Sequence, residues 1–301
     1  MPAATQQTIV PNIWSNSVAE EQASFYADTF RDCSFEISAR YPEHGLPEFQ
    51  QGMAGKPVTV DISLAGTQLV LINAGPEFEP NPTVNLMLNF DPVLYEDASK
   101  YQDEVFAKLS DGGIVMMGLD AYPFSEKYAW VQDKFGVSWQ LILTNPEGSP
   151  RPFVLPSLMF CGAAQNKCRQ AVESYIDLFS NSGWGTVAEY PQPTGPAVAG
   201  SIMFSEFQLA GQWLTAMDSG ADQPFDFGEG MSLMISADGQ SEIDRYWSAL
   251  SAVPEAEQCG WCKDSYGLSW QVVPANMDEL MTRPNAYEHM MQMKKLEIDK
   301  F

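Results

Sequence analysis

The sequence predicts an α+β protein of two tandem domains, each built from two βαβββ modules whose curved sheet forms a cup. Two observations carry this reading. The stretch Trp130-Val-Gln-Asp-Lys-Phe-Gly-Val-Ser-Trp-Gln-Leu-Ile142 returns as Trp261-Cys-Lys-Asp-Ser-Tyr-Gly-Leu-Ser-Trp-Gln-Val-Val273, so that both tryptophans, Asp133/Asp264, Gly136/Gly267, Ser138/Ser269 and Gln140/Gln271 recur at one spacing. Each copy is a hairpin signature, with a glycine for positive φ at the turn and period-2 strands on either side. A helical stripe is also repeated: Ala19, Ala23, Tyr26 and Phe30 in the first half, Cys168, Val172, Tyr175 and Phe179 in the second, both spaced i, i+4, i+7, i+11. Matched elements so far apart imply a duplicated domain.

In chain order, Ile9–Trp14 reads as a short strand. Ser17-Val-Ala-Glu20 has the capping-box pattern, and the first striped helix follows it. A second strand is expected over 33–40, then a Pro/Gly-rich excursion over 41–57 that holds His44. Val58–Leu64 and Gln68–Ile72 flank Ala65-Gly66-Thr67 as a hairpin. After the Pro-rich segment 76–82 come a strand over 84–90 and a helix over 95–110 that places Val105, Phe106 and Leu109 on one side. The first copy of the repeated stretch closes this domain, residues 8–144.

Residues 145–153 form a linker, rich in proline and without apolar period. The pattern restarts in a second domain, residues 154–275. Leu155-Pro-Ser-Leu-Met159 matches Val10-Pro-Asn-Ile-Trp14, Glu206-Phe-Gln-Leu-Ala-Gly211 matches Asp61-Ile-Ser-Leu-Ala-Gly66, and Ser232-Leu-Met-Ile-Ser-Ala-Asp238 matches Asn85-Leu-Met-Leu-Asn-Phe-Asp91. A helix over 241–250 precedes the second repeated stretch. The Met-rich tail, 276–301, is expected to be helical and to stand outside the repeat.

Composition bounds the function. A net charge of −23, with no block of five like charges, repels phosphate backbones and anionic lipid, which argues against nucleic acid and membranes as partners. No apolar run reaches a membrane span. The first residues, Met1-Pro-Ala-Ala-Thr-Gln-Gln, lack the basic and apolar regions of a signal peptide. Five cysteines, sparse and odd in number, suit reduced thiols in a cytoplasm.

The doubled βαβββ module, with Asp-x-Phe/Tyr-Gly-x-Ser-Trp-Gln and the closing Val272-Val-Pro-Ala-Asn276, resembles the vicinal oxygen chelate superfamily of glyoxalases, bleomycin-resistance proteins and extradiol dioxygenases. Within it, the closing motif resembles the PhnB-like group, whose domain carries the label 3-demethylubiquinone-9 3-methyltransferase. The resemblance covers nearly all of residues 8–275 and implies glyoxalase-like cups. It also implies metal ligands, His or Gln on the first strand of a module and Glu near the end of the last. Those positions fall here near Pro11 or Asn12, near Val84 or Asn85, and on Gln140 and Gln271. Neutral amides are weak ligands for divalent ions, so no standard metal site and no cofactor are expected.

Two functions are compared: a small-molecule-binding protein without metal, and a metal-dependent glyoxalase-, dioxygenase- or thiol-transferase-type enzyme with an unusual set such as Asn12, Asn85, Asp61 and Gln140. A methyltransferase is disfavoured, because Ser182-Gly-Trp-Gly-Thr186 follows a helix instead of opening one and cannot cradle S-adenosylmethionine. Gln140 and Gln271 follow Trp139 and Trp270, so they face the opposite side of the sheet and point into the cup if the tryptophans pack under the helix. Asp61 and Glu206 are matched acids, each an ordinary exposed carboxylate unless burial raises its pKa.

Cys259-Gly-Trp-Cys262, lacking a second pair, reads as buried thiols, and Cys161 and Cys168 read as core. His44 and His289 read as solvent-exposed. The methionines, among them Met87, Met116, Met117, Met203, Met231 and Met234, are core filler or an adaptable wall. The binding residues expected are Gln140, Asn85, Trp14, Asn12, Asp61 and Gln271, with the site placed in residues 8–144. The chain is expected to be either a monomer that imitates a dimer internally or a homodimer.

Overall fold

The computed structural model describes residues 7–301, so the leader reading at the first six residues lies outside it. Four modules follow one another. The first is β1 (Ile9–Asn16), α1 (Ala19–Thr29), β2 (Cys33–Arg40), β3 (Pro57–Leu64) and β4 (Thr67–Ala74). The second is β5 (Val84–Phe90), α2 (Ala98–Ser110), β6 (Ile114–Tyr122), β7 (Ser125–Gln132) and β8 (Ser138–Leu143). The third is β9 (Val154–Phe160), α3 (Cys168–Leu178), β10 (Gly183–Glu189), β11 (Ile202–Leu209) and β12 (Gln212–Asp218). The fourth is β13 (Met231–Ala237), α4 (Gln240–Leu250), β14 (Trp261–Lys263) and β15 (Ser269–Pro274), and the tail adds α5 (Met277–Leu280) and α6 (Ala286–Met291).

The strands and the four longer helices form close to where their residues expect them, but the tail, expected to be helical, holds only the short α5 and α6, and the first helix is capped in another way. Ser17 takes a left-handed φ of 61° and makes no capping bond to the helix. Its hydroxyl donates to the Ala74 carbonyl instead, and Asn73 Oδ1, at the end of β4, accepts from the Ala19 amide at 3.2 Å. The third module repeats this device: Asp218 Oδ1, at the end of β12, accepts from the Cys168 amide at 3.2 Å. An oxygen from a neighbouring strand thus satisfies an orphan amide of the first turn.

The strands make two sheets, ordered β14-β15-β13-β1-β4-β3-β2 and β10-β11-β12-β9-β5-β8-β7-β6. The first joins modules one and four through the antiparallel pair β1–β13, with Asn12 opposite Ser232. The second joins modules two and three through β5–β9, with Asn85 opposite Ser157. Each half of the chain therefore gives one module to each sheet.

Alternate residues of every strand face inward. Ile13, Ile62, Leu71, Leu86, Trp139, Leu158, Leu214, Leu233 and Trp270 join residues of the four longer helices in one buried core. Tyr26 of α1 meets Trp139 of the second sheet and Tyr175 of α3 meets Trp270 of the first, with ring centroids at 5.2 and 5.3 Å, so the helices lie between the sheets. The other face of each sheet points outward and forms a cup.

Candidate functional site

Across the outward face of the second sheet runs a row of polar side chains. Register aligns Thr215 of β12 with Ser157 of β9, and Ser157 with Asn85 of β5. Gln140, one strand further on β8, joins the row through its amide nitrogen, which donates to Asn85 Oδ1 at 2.8 Å and lies 3.4 Å from Ser157 Oγ. Its amide oxygen accepts from the Tyr128 hydroxyl at 2.6 Å. These side chains alternate with core-facing Leu86, Trp139, Leu158 and Leu214. A flat outward face would be solvated, yet Asn85, Ser157 and Thr215 are 0% exposed and Gln140 is 1% exposed. The sheet curls around them.

Above this belt the wall is soft and apolar. Tyr128, Trp130, Met159 and Cys161 cluster with Met116, Met117, Tyr122, Ile142, Met217 and Phe225. Phe124, largely exposed, stands at the rim, stacked on Tyr122 and edge-on to Tyr128 at 5.0 Å. Burial raises the Tyr128 hydroxyl pKa well above its ordinary value, so the phenol stays neutral and donates to Gln140. Within the belt every buried polar group described has a partner except the Thr215 hydroxyl. A buried hydroxyl without a partner carries a desolvation cost that a bound polar atom removes.

The first sheet has a corresponding row, but different chemistry. Asn12 aligns with Ser232 on one side and Val70 on the other, and Gln271 Nε2 donates to Ser232 Oγ at 2.9 Å. Asn12 Nδ2 donates to the Val10 carbonyl. Trp14 donates its indole N–H to the Gly75 carbonyl at 2.7 Å and meets Phe78 and Trp261 edge-on, at 4.9 and 6.1 Å. Asp61 accepts from Ser38 Oγ at 2.7 Å, and its pKa is raised first by burial and further by Glu36 and Asp278.

The six expected residues are thus divided. Asn85 and Gln140 share the second cup, while Asn12, Trp14, Asp61 and Gln271 belong to the first. The expectation of one site within residues 8–144 is corrected by strand order: each cup draws one module from each half. The same division prevents Asn12, Asn85, Asp61 and Gln140 from sharing one ion. Where metal ligands would stand, the second cup offers two amides and two hydroxyls and the first offers Asn12, Val70, Ser232 and Gln271. Neither set contains the imidazole or carboxylate that a divalent ion of this kind needs. Among the described residues no group of three His, Cys, Asp or Glu side chains is placed to hold an ion.

Other expectations resolve residue by residue. Glu206 is a partnered carboxylate, not an exposed one: Arg151 binds it in bidentate fashion at 2.9 and 3.0 Å and stacks 3.7 Å from the centre of the Trp213 ring. Of the pair read as buried thiols, Cys262 is core, its thiol pushed up to about 12 by burial, whereas Cys259 is only half-buried; all five cysteines are free. Cys168 is core, but Cys161 belongs to the wall of the second cup. His44 is exposed, whereas His289 is half-buried with its Nδ1 unpartnered. Sequence reasoning missed Thr215 and Tyr128. The signal for Thr215 was available: it stands four residues after the hairpin glycine Gly211, as Val70 does after Gly66.

The family model described as 3-demethylubiquinone-9 3-methyltransferase matches residues 7–142 and again residues 153–273. Among solved structures, the chain is similar to a PhnB protein of Bacillus cereus at 30% identity, over 46% of this chain and 100% of that one, with a TM-score of 0.39. It is similar to a protein of Pseudomonas aeruginosa at 22% identity, over 46% and 98%, with a TM-score of 0.37. Glyoxalase I of Zea mays aligns over 92% of this chain and 94% of its own, at 12% identity and a TM-score of 0.51, a likeness of fold. None of the curated proteins matches the chain.

Proposed function

The chain belongs to the 3-demethylubiquinone-9 3-methyltransferase-type, PhnB-like family of the vicinal oxygen chelate fold, and on that premise we propose that it is a small-molecule-binding protein whose second cup works without a metal ion. The observation that carries this reading is the unpartnered Thr215 hydroxyl, fully buried in a belt of neutral amides and hydroxyls beneath a methionine and aromatic wall. A few placed polar groups in an apolar concavity are what a small-molecule site consists of. The belt has no charged member, so the ligand is uncharged, with a polar atom for Thr215 and a flat or flexible apolar body for the wall. The net charge of −23 favours such a ligand over nucleic acid or anionic lipid, and five free thiols suit a reducing cytoplasm. No observation favours methyl transfer: the strand-to-helix turns of the four modules hold at most one glycine each, not a phosphate- or nucleoside-cradling run.

The test is a thermal-shift screen of uncharged ring compounds with chelator present. A ligand at 100 times its dissociation constant stabilises by about 2.7 kcal/mol. We expect hits that persist in chelator, are lost in Gln140→Ala and survive in Gln271→Ala. A stoichiometric divalent ion retained through dialysis, or hits that vanish on chelation, would replace this reading with a metal-dependent enzyme.

A further inference from the structure

The tail carries a small core of its own, formed by Leu280, Ala286, Met293, Leu296 and Phe301, and Ile298 packs against both it and the main core. It also meets Val273, on the outward face of β15, so it lies on the side of the first cup. Its attachments to the two walls of that cup are unequal. On the fourth-module wall, residues 291–301 are tied at many points. Gln258 Nε2 donates to the Met291 carbonyl at 2.8 Å, and the Cys259 and Gly260 amides donate to the carbonyls of Met293 and Lys294 at 2.8 and 2.7 Å. Gln240 bonds both the Leu296 carbonyl and the Ile298 amide, and Lys295 pairs with Asp244.

The preceding stretch, with α5 and α6, leans towards the first module. The charge of Asp278 adds to the raising of the Asp61 pKa on β3, after burial and Glu36, a repulsion that does not hold the stretch there. The hold is Tyr287: its hydroxyl donates to Gln50 Oε1 at 2.8 Å, and its ring meets Tyr41 edge-on at 6.4 Å. A cleft of about 570 Å³ remains along this seam, between Leu46 and Pro47 on one side and Tyr287 and Met291 on the other. Leu280 and Ala286 join the segment to the tied stretch, and Arg283 Nη1 donates to the Ile298 carbonyl at 3.0 Å, so it is held along one wall and, among the described residues, bonded by one side chain to the other, the construction of a hinged cover. Such segments open locally at a fraction of the global unfolding free energy.

We propose that residues 277–290 are a lid over the first cup, latched by Tyr287, and that this cup is a second, gated binding site for an uncharged, ring-bearing molecule. Trp14 and Trp261 supply ring surfaces, and Asn12, Ser232 and Gln271 supply polar contacts on the floor. Asp61, its cross-strand partner Glu36 and Asp278 on the lid turn anions away. This site is separate from the second cup and stands or falls independently of it.

The test uses the full chain, hydrogen exchange and the neutral dye Nile red. Tyr287→Ala should speed amide exchange in 277–290 about tenfold, the effect of one lost hydrogen bond and its ring contact, while 293–301 and the central strands β5 and β9 keep their protection. Tyr287→Phe, which removes only the bond to Gln50, should fall between that variant and the parent. Nile red should give a saturable, blue-shifted signal with Tyr287→Ala that is absent from the parent and abolished by adding Ser232→Trp to fill the floor. Unchanged exchange, or equal loosening of 277–290 and 293–301, would overturn the lid. No dye signal, or a signal that survives Ser232→Trp, would overturn the second site.

Discussion

Asp133 sets its two carboxylate oxygens against four donors. Oδ1 accepts from the amides of Phe135 and Val137, which shapes the turn, and Oδ2 accepts from Trp139 Nε1 at 2.9 Å and the Tyr26 hydroxyl at 2.8 Å. Asp264 does the same with Tyr266, Leu268, Trp270 and Tyr175. The repeated sequence is thus a folding device: turn, buried indole and a neighbouring module's helix are tied at one side chain. Burial nevertheless outweighs these bonds and raises the pKa of both carboxyls. A raised carboxyl pKa favours the folded state most below the unfolded value near 3.9, and that share is lost as pH rises through the folded value. Asp133→Asn keeps an acceptor for the turn but leaves Tyr26 or Trp139 without one, a cost of about 1–3 kcal/mol. In urea titrations its destabilisation should be larger at pH 4 than at pH 7. A larger effect at neutral pH would mean that the carboxylate, not the acid, is the form the fold prefers.

The first helix shows how an element can be located correctly and capped by something else. The apolar stripe sets its extent to within a turn, and Ala23 and Tyr26 are buried as the stripe requires. The Ser17–Glu20 pattern does not cap it, because positive φ at Ser17 turns the hydroxyl towards β4. The cap is Asn73 Oδ1, and the same side chain donates to the Pro57 carbonyl at 2.9 Å. Asn73→Ala should therefore cost about 1–2 kcal/mol, in the range of a lost N-cap, while Ser17→Ala stays within about 0.5 kcal/mol of the parent. Chemical denaturation of the two variants decides this. The reverse order would restore the local capping box.

At the scale of the molecule, each sheet closes only when both halves of the chain are present. A half alone would leave β1 and β5, or β9 and β13, as long unpaired edges in the middle of a sheet, and such edges pair with whatever is available. An internal pairing of this kind takes the place of a two-fold interface between subunits, so the intact chain should sediment as a monomer. Cleavage in the linker should leave two fragments that co-elute in native buffer and separate only in denaturant. Fragments that part without denaturant, each with an independent melting transition, would show that the halves stand alone.

Local period fixed much of this protein before any coordinates. Alternation along the strands told which face each residue takes, and so placed Gln140 opposite the helices and Trp139 beneath them. The repeated stripe and turn located the four modules, because period 2, period 3.6 and glycine turns are properties of a few adjacent residues. The tertiary structure alone decided which module pairs with which, and therefore that Asn85 meets Gln140 and Ser157 while Asn12 meets Ser232 in a different cup. It also decided that Thr215 lies in the second cup, that Arg151 neutralises Glu206, and that the tail leans on the first cup. The physical reason is that a strand's side-chain pattern names a face but not a neighbour. Backbone hydrogen bonds are the same for every sequence, and the choice of partner comes from how helices and sheets pack at long range.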